Sequence, residues 1–416
     1  MSKSFIYLWP LPLIVGSLFA GCSSKPVCGE MPISADQRTC LIDEVEHRVR
    51  DNYPFAQLND VDLDEWADEL QSIDDPSLAD DQVFRRVQEQ VADLQDGHTN
   101  FYWPDPERQA VPPIQLEMLE AGCFVSSVRR DGLSVERGDR VVRVDGEPVS
   151  RRFEDVLGRT QASTSAARRR QASFAMLAGR SGTEVSLTLE GGTNVTVSRE
   201  ELRSSPSPEP VSKTFGDIGY IAPLTFRYVD DIDRIDRLLN DLLDRRALVI
   251  DLRTNGGGAS AVADALLARL FDNELEAFEV KDRSGEVTQE IQPGQRGRHF
   301  DGPIAVLTNA YTFSAANYFV HRIRYHDRGV VVGRRSGGGS GVPRKTVALT
   351  NEISLRVTSG VLRTPEGSHA EKGVSVDVSL PLTQDFLTSS PEQKRGEPSR
   401  DRDLRRALEY LRDRMQ

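Results

Sequence analysis

Three short, continuous runs of apolar residues constrain the fold of this chain most strongly. They span 247–253, 303–307 and 329–333. Residues 261–270 and 314–325, which lie between the runs, have the apolar spacing of helices. A strand that is apolar along its whole length is buried on both faces, and its alternation with helices is typical of a parallel sheet. We therefore predict an α/β domain over residues 204–390.

The 416 residues exceed what one ordinary core accommodates, so further domains are expected. Apolar residues recur at steps of three and four through residues 37–110, which predicts a small N-terminal helical domain. Residues 391–416 contain Leu404, Leu408 and Leu411 at helical spacing and predict a terminal amphipathic helix.

Residues 111–203 have the short apolar runs of β-strands, with Asp145-Gly146 as a hairpin turn. The stretch 138–149 resembles PDZ domains, which add a peptide to a strand edge and hold its carboxylate on backbone N–H groups. This resemblance implies a β-rich PDZ-like domain and a carboxylate loop at Gly122, Cys123 and Phe124. A degenerate PDZ-like domain that only packs against its neighbour remains the alternative.

The first residues have the pattern of an export signal. Lys3 precedes an apolar run that ends in small residues at Ala20 and Gly21, which predicts a signal peptide over residues 1–21. The segment resembles a bacterial lipoprotein signal, which implies lipidation of Cys22, a linker over 22–36 and a membrane contact through the lipid. The resemblance implies a periplasm-facing protein, at the outer rather than the inner membrane. A plain signal peptide cleaved nearby remains the alternative.

Charge and cysteine content limit the choice of partners. The net charge of −12 argues against nucleic acid as a partner, because phosphate binding needs a basic surface. Neither a metal site nor a cofactor is expected, since no spacing of Cys and His is typical of metal ligands. Cys28 and Cys40 could form a disulfide in an oxidising compartment or stay reduced, and Cys123 is expected to be a buried structural thiol.

Three segments of the α/β region match one peptidase family in order and spacing. They are LVIDLRTNGGG at 248–258, LTNAYTFSAA at 307–316 and GSHAEKGVSVD at 367–377. Together they resemble the C-terminal-processing (tail-specific) serine peptidases. The resemblance implies a ClpP/crotonase-like catalytic domain, with Ser314 as nucleophile and the N–H groups of Gly257 and Ala315 as the oxyanion hole. Taken alone, Ser314 could equally be the N-cap of a helix.

The general base needs a separate argument. Family members with a serine–lysine dyad carry lysine about 25 residues after the serine, where this chain has Gly339. Lys345 lies further along and would need a rearranged loop. The segment LQDGHT at 94–99 resembles the tricorn-core-like branch, which implies His98 as the base. The same branch implies that Glu371 orients His98, directly or through a hydroxyl.

These resemblances predict a serine endopeptidase that cleaves exposed or C-terminal segments of exported proteins. The glycine-rich loop at 336–341 also resembles the branch of interphotoreceptor retinoid-binding protein, whose repeats bind hydrophobic ligands without catalysis. A non-catalytic lipoprotein that binds hydrophobic ligands or peptides on the same fold is therefore the alternative. The oligomeric state is left open.

Overall fold

The computed structural model describes residues 26–201, 209–343, 346–389 and 396–416. The predicted signal peptide, the lipidation site Cys22 and Lys345 lie outside these residues. Within the described ranges, no helix combines the length and apolar character needed to cross a membrane.

The described residues form ten α-helices and twenty-one β-strands. The helices are α1 (Ala35–Asn52), α2 (Leu63–Gln71), α3 (Asp80–Ala92), α4 (Val149–Gly158), α5 (Ser165–Ala175), α6 (Asp231–Asn240), α7 (Ser260–Leu267), α8 (Ala315–Tyr325), α9 (Gln384–Ser389) and α10 (Arg402–Met415). The first nine strands are β1 (Asn100–Tyr102), β2 (Ala110–Val111), β3 (Ile114–Leu119), β4 (Gly122–Val128), β5 (Arg140–Val144), β6 (Glu147–Pro148), β7 (Glu184–Leu189), β8 (Asn194–Ser198) and β9 (Glu200–Glu201). The others are β10 (Val211–Phe215), β11 (Ile218–Ala222), β12 (Ala247–Asp251), β13 (Phe278–Asp282), β14 (Val287–Ile291), β15 (Ile304–Thr308), β16 (Val330–Gly333), β17 (Gly341–Pro343), β18 (Val347–Ala348), β19 (Ser354–Arg356), β20 (Thr358–Arg363) and β21 (Val378–Ser379).

A six-stranded sheet in the order β10-β11-β12-β15-β16-β21 forms the centre of the α/β domain. Its strands are parallel except β10, which is antiparallel to β11. Strands β12 and β15 are buried along their whole length, as their apolar sequences predict. Helices α6, α7 and α8 cover one face and α10 covers the other. The predicted α/β fold class is confirmed.

The N-terminal helical unit is not a separate body. Its core combines α1, α2 and α3 with Leu349, Ile353 and Leu355, which belong to the segment predicted as catalytic domain. Strand β1 pairs with β19 in register from Asn100 to Tyr102. The predicted helices are present, but a return of the chain at 347–361, which was predicted as part of the catalytic domain, completes their core.

Residues 110–201, called the β-rich domain below, contain the sheet β3-β4-β5-β7-β8 with α4 and α5 packed on it. The hairpin at Asp145-Gly146 joins β5 to β6 as predicted, with φ of 51° and 78° at the two turn residues.

The prediction of a carboxylate loop at Gly122, Cys123 and Phe124 is wrong. These residues begin β4, which pairs with β3 on one side and β5 on the other and so offers no free edge to a peptide. The side chains of Cys123 and Phe124 are buried, and burial raises the pKa of the Cys123 thiol to about 12. The sheet edge is β3 instead, where the N–H of Met118 donates to Ser173 Oγ of α5 at 3.0 Å.

Candidate active site

Ser314 lies where β15 passes into α8. Its backbone has φ 56° and ψ −125°, a region that residues with a Cβ rarely occupy. Ser314 occupies the N-cap position of α8, but its side chain makes no capping hydrogen bond, so capping does not account for the hydroxyl. The serine N–H donates to the carbonyl of Gly338 at 3.0 Å, which fixes the turn from outside the helix. A strained backbone held in this way is typical of functional positions.

His98 stands directly against Ser314. The distance from His98 Nε2 to Ser314 Oγ is 2.9 Å, although the two residues are 216 positions apart. The imidazole also packs on the ring of Phe313, with 4.6 Å between ring centroids. The structure therefore brings together the two residues predicted as base and nucleophile, at the distance that proton transfer requires.

Three hydrogen bonds, two to Asp96 and one from Arg356, hold the loop that carries His98. Asp96, which is fully buried, accepts the N–H of His98 at 2.9 Å and the hydroxyl of Thr99 at 2.6 Å. Arg356 Nε donates to the carbonyl of His98 at 3.1 Å. Burial lowers the pKa of His98, with the Arg356 charge acting the same way and Asp96 opposing. The imidazole is consequently neutral at neutral pH and able to accept the serine proton.

Gly339 occupies the position of the lysine in serine–lysine members. A Cβ there would lie 2.5 Å from Phe313 Cε2 and 3.0 Å from His98 Cε1. The backbone φ of 91° further disfavours any side chain. The imidazole of His98 and the ring of Phe313 fill the space that a side chain at position 339 would need. A lysine at this position and His98 in its present place therefore exclude each other.

Glu371 is fully buried close to this loop, but it does not contact His98 in a described hydrogen bond. Its Oε2 accepts the N–H groups of Ser340 at 2.7 Å and Gly341 at 3.0 Å. Burial raises the pKa of Glu371, and the charge of Asp96 adds to the effect. The prediction that Glu371 orients His98 directly is therefore wrong. That Glu371 orients His98 through a hydroxyl stays a prediction.

The predicted oxyanion donors are close together but not both free. A Cβ on Gly257 would lie 2.8 Å from the nitrogen of Ala315. Ala315 is the first residue of α8, so its N–H has no helical carbonyl one turn earlier to which it could donate. The N–H of Gly257, however, donates to Asn255 Oδ1 at 2.9 Å. Asn255 is buried and donates in turn to the carbonyl of Pro223 at 2.7 Å. The predicted oxyanion hole of Gly257 and Ala315 is not assembled in this structure.

Sequence reasoning overlooked Asp96, Asn255 and Ser163. Asp96 and Asn255 stand inside two of the segments that carried the resemblance, so the segments themselves were the available signal. Ser163 belongs to the β-rich domain and is surrounded by no recognisable motif. Its hydroxyl accepts the N–H of Gly97 at 3.0 Å, next to His98.

Comparison with known proteins finds similarity to peptidases. Residues 217–380 match Peptidase family S41. The chain is 25% identical over 318 residues to the tail-specific protease of Haemophilus influenzae, covering 69% of this chain and 44% of that protein. It is 24% identical over 309 residues to the carboxyl-terminal-processing protease of Picosynechococcus, covering 68% of this chain and 69% of that protein. The chain thus spans less than half the length of the Haemophilus relative.

Solved structures show the fold. Mature CPAF complexed with lactacystin superposes with a TM-score of 0.69 at 16% identity, covering 91% of this chain and 97% of that one. The photosystem II D1 C-terminal processing protease gives a TM-score of 0.55 at 18% identity, covering 88% and 99%. The fold of this chain is therefore similar to that of C-terminal-processing peptidases. The family match itself is confined to residues 217–380, which contain Ser314 and Glu371 but not His98.

Proposed function

We propose that the protein is a serine endopeptidase that cleaves exposed or C-terminal segments of exported proteins. The contact of 2.9 Å between His98 Nε2 and Ser314 Oγ carries the proposal. A binding protein has no need of a strained serine against a buried neutral imidazole.

The chemistry follows from the geometry of the pair. Ser314 Oγ attacks the carbonyl carbon of the scissile bond while His98 Nε2 takes the hydroxyl proton. The imidazolium then returns this proton to the leaving amine as the C–N bond breaks, which leaves an acyl ester on Ser314. Water, deprotonated by the same imidazole, hydrolyses the ester and restores the hydroxyl. Glu371 stabilises the transient imidazolium.

A fluorophosphonate probe tests the nucleophile and the base together. We expect wild type to be labelled and Ser314→Ala not to be labelled. His98→Ala is expected to lower both labelling rate and peptide turnover by roughly 10³-fold or more, because the serine loses its proton acceptor.

His47→Ala is the matched control, since His47 is exposed on α1 and far from this site in the fold. It should label and turn over peptide like wild type. Normal activity in His98→Ala would contradict the role of His98 as base.

The location of the protein is part of the proposal. Lipidation of Cys22 would place it at a membrane, facing the periplasm, with the outer membrane favoured. The disulfide between Cys28 and Cys40 supports export, because such bonds persist in oxidising compartments. Metabolic labelling with a radioactive fatty acid tests this: wild type should incorporate label and Cys22→Ala should not. Incorporation into Cys22→Ala would refute the site.

One observation favours the second candidate, a binding protein that does not catalyse. The Gly257 N–H is held by Asn255, so a substrate oxyanion could not use it without displacement of that amide. If wild type is never labelled by the probe yet binds apolar peptides, the second candidate is correct. Removal of an oxyanion donor costs roughly 3–4 kcal/mol of barrier, which would account for such inactivity.

A further inference from the structure

The β-rich domain contributes one side chain to the centre of the catalytic machinery. Ser163 lies between α4 and α5 and is 1% exposed. The preceding residues are buried with it, and Gln161 Nε2 donates to the carbonyl of Gln88 in α3 at 3.3 Å. The segment is therefore wedged between the helical unit and the α/β domain rather than exposed as a connection.

Ser163 touches the elements that carry three functional groups. Its hydroxyl accepts the N–H of Gly97, which precedes the base. Its Cβ lies 3.0 Å from where a Cβ on Gly338 would stand, and the carbonyl of Gly338 receives the N–H of Ser314. Burial raises the pKa of Glu371, and a hydrogen bond from the Ser163 side chain lowers it.

Two buried polar atoms nearby are left without partners. Neither Nδ1 of His98 nor Oε1 of Glu371 forms a hydrogen bond with any residue that the structure describes. Unpaired buried polar atoms are costly, and in native proteins they commonly mark functional positions. A serine hydroxyl that accepts one hydrogen bond still has a proton to donate. For Ser163, the acceptor of this proton would be the carboxyl of Glu371.

We propose that Ser163 is a positioning residue of the active site, whose hydroxyl links the His98 loop to the carboxyl of Glu371. The proposal rests on the proposed function, since it names the hydroxyl through which Glu371 acts. Because Ser163 belongs to the β-rich domain, activity then requires this domain to be packed correctly against the active site. The reacting atoms remain those of Ser314, His98 and the substrate.

The carboxyl of Glu371 provides a measurement that needs no turnover. Its pKa is raised by burial and lowered by Ser163, so loss of the hydroxyl should raise it further. In protein labelled with ¹³C-glutamate, Glu371 should titrate above the ordinary range of glutamates, and its signal is assigned by its loss in Glu371→Gln. We expect Ser163→Ala to shift this titration upward by roughly half a pH unit or more.

Thr160→Ala is the matched control from the same buried segment. The Thr160 hydroxyl is engaged within its own helix end, where it donates to the carbonyl of Val156 in α4 at 2.6 Å. This variant should leave the Glu371 titration unchanged, whatever its effect on stability. Ser163→Cys, which keeps the space filled but donates poorly, should shift the titration in the same direction as Ser163→Ala and covers the case that the latter fails to fold.

Peptide kinetics give the second readout. Ser163→Ala should lower kcat by roughly 10- to 100-fold with little change in KM. An unchanged titration, or an equal shift in Thr160→Ala, would overturn the proposal. A shifted titration in a protein whose wild type has no peptidase activity would sustain the link and refute the proposed function.

Discussion

At the residue scale, the serine–histidine pair depends on a glycine that leaves space for it. Gly339→Ala would put a Cβ against Phe313 and His98, and the imidazole would have to move away from Ser314. We expect a fall in peptide turnover of roughly 100-fold or more, since a misplacement of about 1 Å costs that much. Gly294→Ala, at a site with no atom within 4 Å, should be unaffected.

Gly339→Lys extends this prediction. The variant restores the residue type of the serine–lysine members, but its side chain would compete with His98 for the same space. We expect it to be inactive at every pH in a turnover assay. Activity with an alkaline pH optimum would show instead that the lysine had replaced the histidine as base.

Glu371 gives a prediction about stability against pH. Its pKa is raised in the folded protein, so its contribution to stability is fully present below its unfolded pKa and is lost as pH rises through the folded pKa. Glu371→Gln keeps an oxygen for the N–H groups of Ser340 and Gly341 but has no charge to bury. Its Tm minus that of wild type should therefore grow between pH 6 and pH 9. A difference that is constant with pH would contradict the raised pKa.

At the element scale, the motif DLR at 251–253 has a structural role that its sequence conceals. The Arg253 guanidinium lies in the interior and bonds Asp251 at 2.8 Å and Asp401 at 2.6 Å. Asp401 also caps α10 by accepting the N–H of Leu404 at 3.1 Å. The arginine therefore ties the terminal helix to the end of β12, beside the turn that carries Gly257.

Arg253→Ala would remove the guanidinium that neutralises these buried carboxylates. We expect it to lower the free energy of unfolding by roughly 3–5 kcal/mol, measured by denaturant titration. Arg298→Ala removes an arginine whose pair with Asp244 is exposed, and it should cause no measurable loss. Equal stability of the two variants would mean that the interior network does not anchor α10.

At the scale of the whole molecule, the N-terminal segment is tied to the return of the chain at 347–361. The disulfide between Cys28 and Cys40 joins this segment to α1, and the N–H of Cys28 donates to the carbonyl of Leu349 at 2.8 Å. Breaking a bridge that closes a loop of this size costs roughly 3 kcal/mol in the chain-entropy model. The double variant Cys28→Ser/Cys40→Ser should melt several degrees below wild type, and a reducing agent should lower the Tm of wild type only. If the reducing agent leaves the Tm of wild type unchanged, the disulfide is refuted.

The sequence by itself determined the α/β class, the positions of Ser314 and His98, and the glycine at the position where serine–lysine members have lysine. These follow from features that a linear reading retains, namely the apolar periodicity of β12 and β15 and the order of short motifs. Only the tertiary structure decided what depends on approach in space. In the structure, Asn255 accepts the Gly257 N–H, and β4 is paired along both edges. Glu371 makes no direct hydrogen bond to His98, and Ser163 lies beside the loop that carries His98. These contacts join residues through backbone strain, strand pairing and burial, and side-chain type alone does not encode which partner a buried polar group will find.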